Sequence, residues 1–158
     1  MQNWLWYYTL LHVAISLAGI GSGFVVLLSM LRSHASSGWT NLFLATTVLT
    51  SVTGFGFPFD HITPGIVIGV LSIIVLGLCI FARYSKKLVG RWGGVYVVSA
   101  VLAQYFNVFV LIAQGFQKIP TLHALAPTQA EPPFAIAQGL TLIAFVVLGV
   151  ALFRTGPR

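Results

Sequence analysis

The stretch at residues 64–92 reads PGIVIGVLSIIVLGLCIFARYSKKLVGRW, and it decides the fold. Its first part, residues 64–82, has no charged side chain and has about the length, roughly 20 apolar residues, that a helix needs to cross a bilayer. Its second part carries a cluster of four basic residues, namely Arg83, Lys86, Lys87 and Arg91. An apolar run that ends in basic residues is typical of a transmembrane helix reaching the cytoplasmic face.

Four more apolar runs accompany this one. We therefore predict an all-α protein with a single transmembrane domain, residues 1–158, built as an integral membrane bundle of five transmembrane helices. The predicted helices lie at about 4–31, 39–57, 64–82, 93–116 and 133–153. Pro64 and Pro133 suit first-turn positions, where the missing N–H is tolerated. A transmembrane barrel would instead show segments of about ten residues with alternating polarity, and the runs here are continuous.

The composition excludes a water-soluble domain. Only 6% of the 158 residues are charged and 58% are hydrophobic, whereas soluble domains carry about 25% charged residues. The net charge of +6 comes from basic residues in short loops between apolar runs, which is typical of membrane topology and not of a nucleic-acid surface. Cys79 is the only cysteine, so an intrachain disulfide or a CxxC motif is excluded. The first apolar run has no basic n-region and is too long for a cleavable signal peptide.

The basic residues lie almost entirely on one side of the predicted bundle. That side carries Arg32, Arg83, Lys86, Lys87, Arg91, Arg154 and Arg158. The other side has Lys118 and both acids, Asp60 and Glu131. Because the basic side is cytoplasmic in membrane proteins, we expect the N-terminus outside, the C-terminus in the cytoplasm, and contact between the basic side and anionic lipid.

Polar side chains inside the predicted spans gather in the outer half of the bundle. His12 lies about eight residues, or about 12 Å, from the outer end of the first helix. Gln104 and Asn107 share one stripe of the fourth helix, at the same predicted depth. Gln138 enters from the outer end of the last helix. An ionisable residue within a span is by default a functional hypothesis, so we predict an outward-facing site for a small ligand, haem, quinone or a transition metal. The alternative is hydrogen bonding between helices alone.

The outer loops hold further groups that could bind a metal. Asp60, His61, His123 and Glu131 offer imidazole and carboxylate ligands suitable for zinc, copper or iron. No HxxxH or HExxH pair is present, and ordinary solvated loop residues are the alternative interpretation. His34 falls in the first cytoplasmic loop and is excluded from this site.

Glycine pairs predict where helices approach closely. Gly19 and Gly23 form a GxxxG spacing on the first helix, and Gly65 and Gly69 form another on the third. Because small residues let helix backbones come together in lipid, we expect both pairs to be packing seams.

Two unusual segments resemble parts of a known group of proteins. Residues 53–64 read TGFGFPFDHITP and residues 123–134 read HALAPTQAEPPF. They resemble segments in uncharacterised multi-pass inner-membrane proteins of bacteria, which have a TGF-x-FPF-type turn followed by a late proline-rich loop. The resemblance covers most of the chain from the second helix onward. It implies a protein of the bacterial cytoplasmic membrane and carries no activity with it.

Three classes of function remain open at this point. The first is a redox or cofactor protein, which as an enzyme would be a membrane oxidoreductase. The second is a binding or transport module for a small molecule that enters from outside. The third is a structural or accessory subunit, as a homo-oligomer or beside a membrane partner, whose polar layer serves packing. A hydrolase is disfavoured because no GxSxG motif is present.

Overall fold

The computed structural model describes residues 2–32, 36–60 and 62–155, and within these ranges it is all-helical. The helices are α1 (Gln2–Leu31), α2 (Ser37–Gly54), α3 (Pro64–Ile80), α4 (Arg91–Lys118), α5 (Pro120–Leu125) and α6 (Pro132–Thr155). A π-helical turn, Phe81–Ser85, continues α3. The all-α prediction is confirmed.

Four of these helices are long and apolar enough to cross a membrane. They are α1, α3 with its π-helical turn, α4 and α6. The protein is therefore a membrane protein whose apolar helices contact the bilayer. The fifth predicted span, α2, has 18 residues and is rich in threonine and serine, so it is less apolar than the most apolar 18-residue stretch of each of the other four.

Helix α4 lies at the centre of the bundle and packs against α1, α3 and α6. The two hairpins α1–α2 and α3–α4 are antiparallel pairs, and α2 also packs on α3. The core consists of side chains such as Leu27, Phe43, Leu76, Tyr96 and Leu152, all at most 2% exposed. We call the end with residues 83–91 the basic end, and the end with Asp60 and Glu131 the acidic end.

The predicted helix bounds differ from the observed ones where local geometry intervenes. Helix α2 ends at Gly54 and not near residue 57, because the chain turns before Pro58, and proline disfavours helix in the residue ahead of it. Beyond α3, the backbone N–H of Lys86 donates to the carbonyl of Phe81, so the helix runs past residue 82 as a π-helical turn. The predicted long loop at 116–132 contains the short helix α5.

The first glycine seam is confirmed and the second only in part. A Cβ on Gly19 would lie 3.3 Å from the hydroxyl oxygens of Thr46 and Thr47 on α2. A Cβ on Gly23 would overlap the side chain of Gln104 on α4. On α3, Gly69 faces the ring of Phe55, whereas Gly65 is exposed.

Candidate functional site

The imidazole of His12 has its hydrogen-bond partner on α2. Its Nδ1 lies 2.8 Å from the hydroxyl oxygen of Thr53. That hydroxyl also lies 2.7 Å from the carbonyl oxygen of Leu49; when it donates there, Nδ1 is the donor of the His12 contact and a neutral ring keeps its lone pair at Nε2. The ring also meets Phe57 edge-on, with 5.1 Å between centroids. The hydrogen-bond partner of His12 is therefore on α2, and not among the amides of α4 that share its predicted depth.

The two predicted amides on α4 join three helices. Gln104 is 0% exposed, and its Nε2 donates to the carbonyl oxygen of Ile20 on α1 over 2.8 Å. Asn107 donates to the hydroxyl of Thr47 on α2 over 3.1 Å, and more weakly to the side-chain oxygen of Gln104 over 3.5 Å. A carbonyl in the interior of a helix already accepts a hydrogen bond from the N–H four residues later, so the carbonyl of Ile20 accepts a second bond here. This network ties α1, α2 and α4 together at one level.

Gln138 connects α6 to α4 but is not fully satisfied. Its Nε2 donates to the carbonyl of Phe109 over 3.1 Å. Its side-chain oxygen is buried and has no hydrogen-bond partner in the described part of the chain, and the same is true of the hydroxyl of Thr50 on α2. Buried polar atoms are nearly always paired, so each of these two atoms has room for one more partner.

The connection between α4 and α6 is held by its own side chains. Gln129 donates from its side chain to the carbonyl of Ala113 over 2.7 Å. Glu131 accepts hydrogen bonds from the hydroxyl and backbone N–H of Thr128 and from the backbone N–H of Ala130. Desolvation opposes ionisation of Glu131, but these donors outweigh it and hold the pKa of the carboxyl below its ordinary value. In His123, the Nδ1 lies 3.3 Å from the carbonyl of Phe116.

The structure describes three of the four predicted metal ligands, namely Asp60, His123 and Glu131. His61 lies outside the described residues, and Asp60 is exposed. Across residues 2–32, 36–60 and 62–155, no three His, Cys, Asp or Glu side chains come close enough to hold a metal ion. Glu131 instead serves the turn described above. The metal site that includes His61 stays a prediction.

Sequence reasoning missed several residues that shape this region. The hydroxyl of Tyr8 donates to the carbonyl of Thr53 over 2.7 Å. Thr47, fully buried, is the α2 partner of Asn107. One signal could have found Tyr8: it precedes His12 by one helical turn and so shares its face. Nothing in the sequence separates Thr47 from its neighbour Thr46.

Comparison of the chain with protein-family models, with curated proteins and with solved structures gave no match.

Proposed function

We propose that the chain is an integral protein of the bacterial cytoplasmic membrane with five spans, and that its polar layer holds these spans together. In this proposal it acts as a structural or accessory membrane subunit. The observation that carries the proposal is the set of interhelical hydrogen bonds made by His12, Gln104 and Asn107. Each of these predicted site residues forms a hydrogen bond with a neighbouring helix. In membrane bundles such bonds contribute on average about 0.6 kcal/mol each, up to about 1.7.

The fifth span in this proposal is α2. Its end near Thr53 contacts the beginning of α1, and at its other end Asn41 accepts a hydrogen bond from Tyr84 in the π-helical turn. Helix α2 thus runs the length of the bundle beside two apolar helices. Its 18 residues extend about 27 Å, which is close to the hydrocarbon thickness of about 30 Å. The orientation, N-terminus outside and C-terminus cytoplasmic, rests on the one-sided distribution of basic residues.

Purification without added cofactors tests the structural role. We expect protein in mild detergent to show no Soret band, no stoichiometric zinc, copper or iron in elemental analysis, and no quinone in an organic extract. A haem, metal or quinone retained at about one per chain would overturn the structural proposal. It would then favour a membrane oxidoreductase or carrier built on the same layer.

A second function, binding of a small molecule from the acidic end, is favoured by one observation. The side-chain oxygen of Gln138 and the hydroxyl of Thr50 are buried without a partner among the described residues. A small molecule with a hydrogen-bond donor would satisfy the side-chain oxygen of Gln138, which can only accept. Mass spectrometry of the organic extract decides this alternative: a single small molecule that co-purifies with the wild type and is lost from Gln138→Leu supports it, and an extract that holds lipid alone excludes it.

A further inference from the structure

A deep apolar groove lies at the basic end of the bundle, away from the polar layer. It has a volume of about 810 Å³ and is bounded by α3, α4 and α6. Its walls include Val75 and Leu78 of α3, Val98 and Leu102 of α4, and Phe153 of α6. The volume falls within the range of about 300–1,000 Å³ typical of ligand pockets.

The length of the groove matches one leaflet of a bilayer. On α4 it runs from Arg91 to Leu102, which are 11 residues apart (102 − 91) and therefore about 16 Å along the axis. Half of a hydrocarbon core of about 30 Å is about 15 Å. A chain that enters beside Arg91 would therefore reach the bilayer midplane at Leu102.

Along this length the side chains that line the groove have no free group with which a polar ligand could form a hydrogen bond. Ser99, the hydroxyl-bearing residue of the lining, donates to the carbonyls of Val95 and Tyr96 in its own helix. The remaining side chains below Arg91 are aliphatic or aromatic. An occupant of this part has to be apolar.

The mouth of the groove is cationic, and no acidic side chain lies at this end in the part of the chain that the structure describes. Arg91 is exposed, and its guanidinium makes no hydrogen bond or ion pair with any other residue in the described ranges. The protein has only two acids, Asp60 and Glu131, and both belong to the acidic end. No acidic side chain is therefore available to Arg91 at this end among the described residues, and an anionic lipid headgroup in the adjacent leaflet can supply the negative charge.

We propose that the groove binds one acyl chain of a phospholipid with an anionic headgroup, and that Arg91 binds the phosphate of that headgroup. The apolar wall, the one-leaflet length and the unpaired cation at the mouth together fit this occupant and no water-soluble ligand. The site rests on the membrane arrangement proposed above. Binding in detergent does not depend on orientation, so failure of this site and failure of the topology are distinguishable.

Native mass spectrometry of the delipidated full-length protein in mild detergent tests the site. Palmitoyl-oleoyl phosphatidylglycerol and the zwitterionic phosphatidylcholine with the same chains are added separately. We expect one tightly retained phosphatidylglycerol, and about fivefold weaker binding in Arg91→Gln, which corresponds to about 1 kcal/mol for one lysine or arginine near a membrane surface. Val98→Phe, which fills the groove, should reduce retention of phosphatidylglycerol to the level of phosphatidylcholine.

Two control variants keep the test specific. Val147→Phe makes the same change at an exposed position of α6 outside the groove, and Lys87→Gln removes a neighbouring charge that does not line it. Both should bind as the wild type does. Equal weakening by Lys87→Gln and Arg91→Gln would overturn the proposal in favour of general attraction to the basic loop, and so would unchanged binding in Val98→Phe.

Photolabelling of the wild-type protein tests the site without any substitution, so a folding defect cannot affect the result. A phosphatidylglycerol with a photoactivatable diazirine on its acyl chain should label residues of α3 and α4 that line the groove, between 75 and 102. Labels confined to other surfaces would contradict the proposed site.

Discussion

At Gly23 the backbone of α1 lies so close to α4 that a Cβ would fall on the side chain of Gln104 and 2.9 Å from the ring of Phe43. We expect Gly23→Ala to destabilise the protein by about 1–3 kcal/mol, the usual range for overpacking. Gly21 lies two residues away with open space around it, so Gly21→Ala is the matched control and should be neutral or slightly stabilising. Reversible unfolding in mixed micelles measures both, and equal stabilities would contradict the close approach.

Gln104 is the residue on which the polar layer depends most. Replacing it with Met keeps the length of the side chain but removes the donor to Ile20 and the acceptor for Asn107. We expect a loss of about 0.6–2 kcal/mol in the free energy of unfolding, which is the range for one or two interhelical hydrogen bonds in a bundle. Gln114→Met, at an exposed position of the same helix, should change the stability little. If both variants unfold like the wild type, the amide network does not hold the bundle.

The turn before α6 should loosen in acid because of Glu131. The hydrogen bonds from Thr128 and Ala130 lower the pKa of this carboxyl in the folded protein. A lowered folded pKa gives stability that is present above the ordinary pKa of glutamate, about 4.3, and is lost as pH falls through the lower folded value. Hydrogen exchange should therefore show the protection of the Thr128 and Ala130 amides falling at acid pH. In Glu131→Gln the protection should be weaker at neutral pH and independent of pH.

Among the elements, the connection between α3 and α4 departs most from regular helix. After the π-helical turn, Lys87, Leu88 and Gly90 all have positive φ, between 50° and 60°. The cations of this connection lie against rings: Arg83 over Tyr96 at 5.5 Å and Lys86 over Trp92 at 5.6 Å. The connection thus fixes basic and aromatic groups together, as expected for residues at a membrane–water interface.

We predict that this connection determines the orientation of the α3–α4 hairpin. Replacing Arg83, Lys86, Lys87 and Arg91 together with Gln removes the strongest basic cluster, so the variant should insert with mixed topology. Protease accessibility of the 83–91 loop in sealed vesicles measures the mixture. A variant that keeps a single orientation would show that the remaining basic residues are sufficient.

The accuracy of sequence prediction differs between elements for physical reasons. Long apolar runs identify α1, α3, α4 and α6, because burial of a helix in lipid depends on composition alone. Helix α2 gives a weaker signal in the sequence, because its threonines and serines make the run less apolar than the other four. In the structure a hydroxyl such as that of Thr46 is paired by donating to the carbonyl of Leu42 in the same helix. The π-helical turn could not be predicted from the pattern of apolar and polar residues. Its geometry depends on contacts such as Tyr84 with Asn41, which are 43 residues apart.

The sequence indicated which polar residues lie inside the bundle, but it did not indicate which residues they bond. Depth estimates place His12, Gln104 and Asn107 in one layer, but Gln104 bonds Ile20, which lies eight residues (20 − 12) and therefore about 12 Å along α1 from His12. A rise per residue counted from the predicted helix ends contains neither the offset of one helix along its neighbour nor its rotation. For this reason His12 pairs with Thr53 on α2, while the amides meet Ile20 and Thr47 deeper in the bundle.

At the scale of the whole molecule, the number of spans depends on α2. With four spans both termini would lie on the same side, and with five they lie on opposite sides. We propose five spans because α2 packs against both α1 and α3 and buries Phe43 and Thr47. The five-span arrangement also places all the basic residues except Lys118 at one face.

Reporter fusions at four points test this arrangement. A reporter after Ser36 or after Arg158 should behave as cytoplasmic, and one after Asp60 or within the 120–130 segment should behave as external. The positions before and after α2 are the informative pair, because they differ in side only if α2 crosses the membrane. The same side for Ser36 and Asp60, with the C-terminal reporter outside, would establish four spans and remove α2 from the bilayer. Opposite sides for that pair, together with a cytoplasmic C-terminus, would leave α2 as a span in which threonines are tolerated in lipid because hydroxyls such as those of Thr46 and Thr53 donate to carbonyls of their own helix.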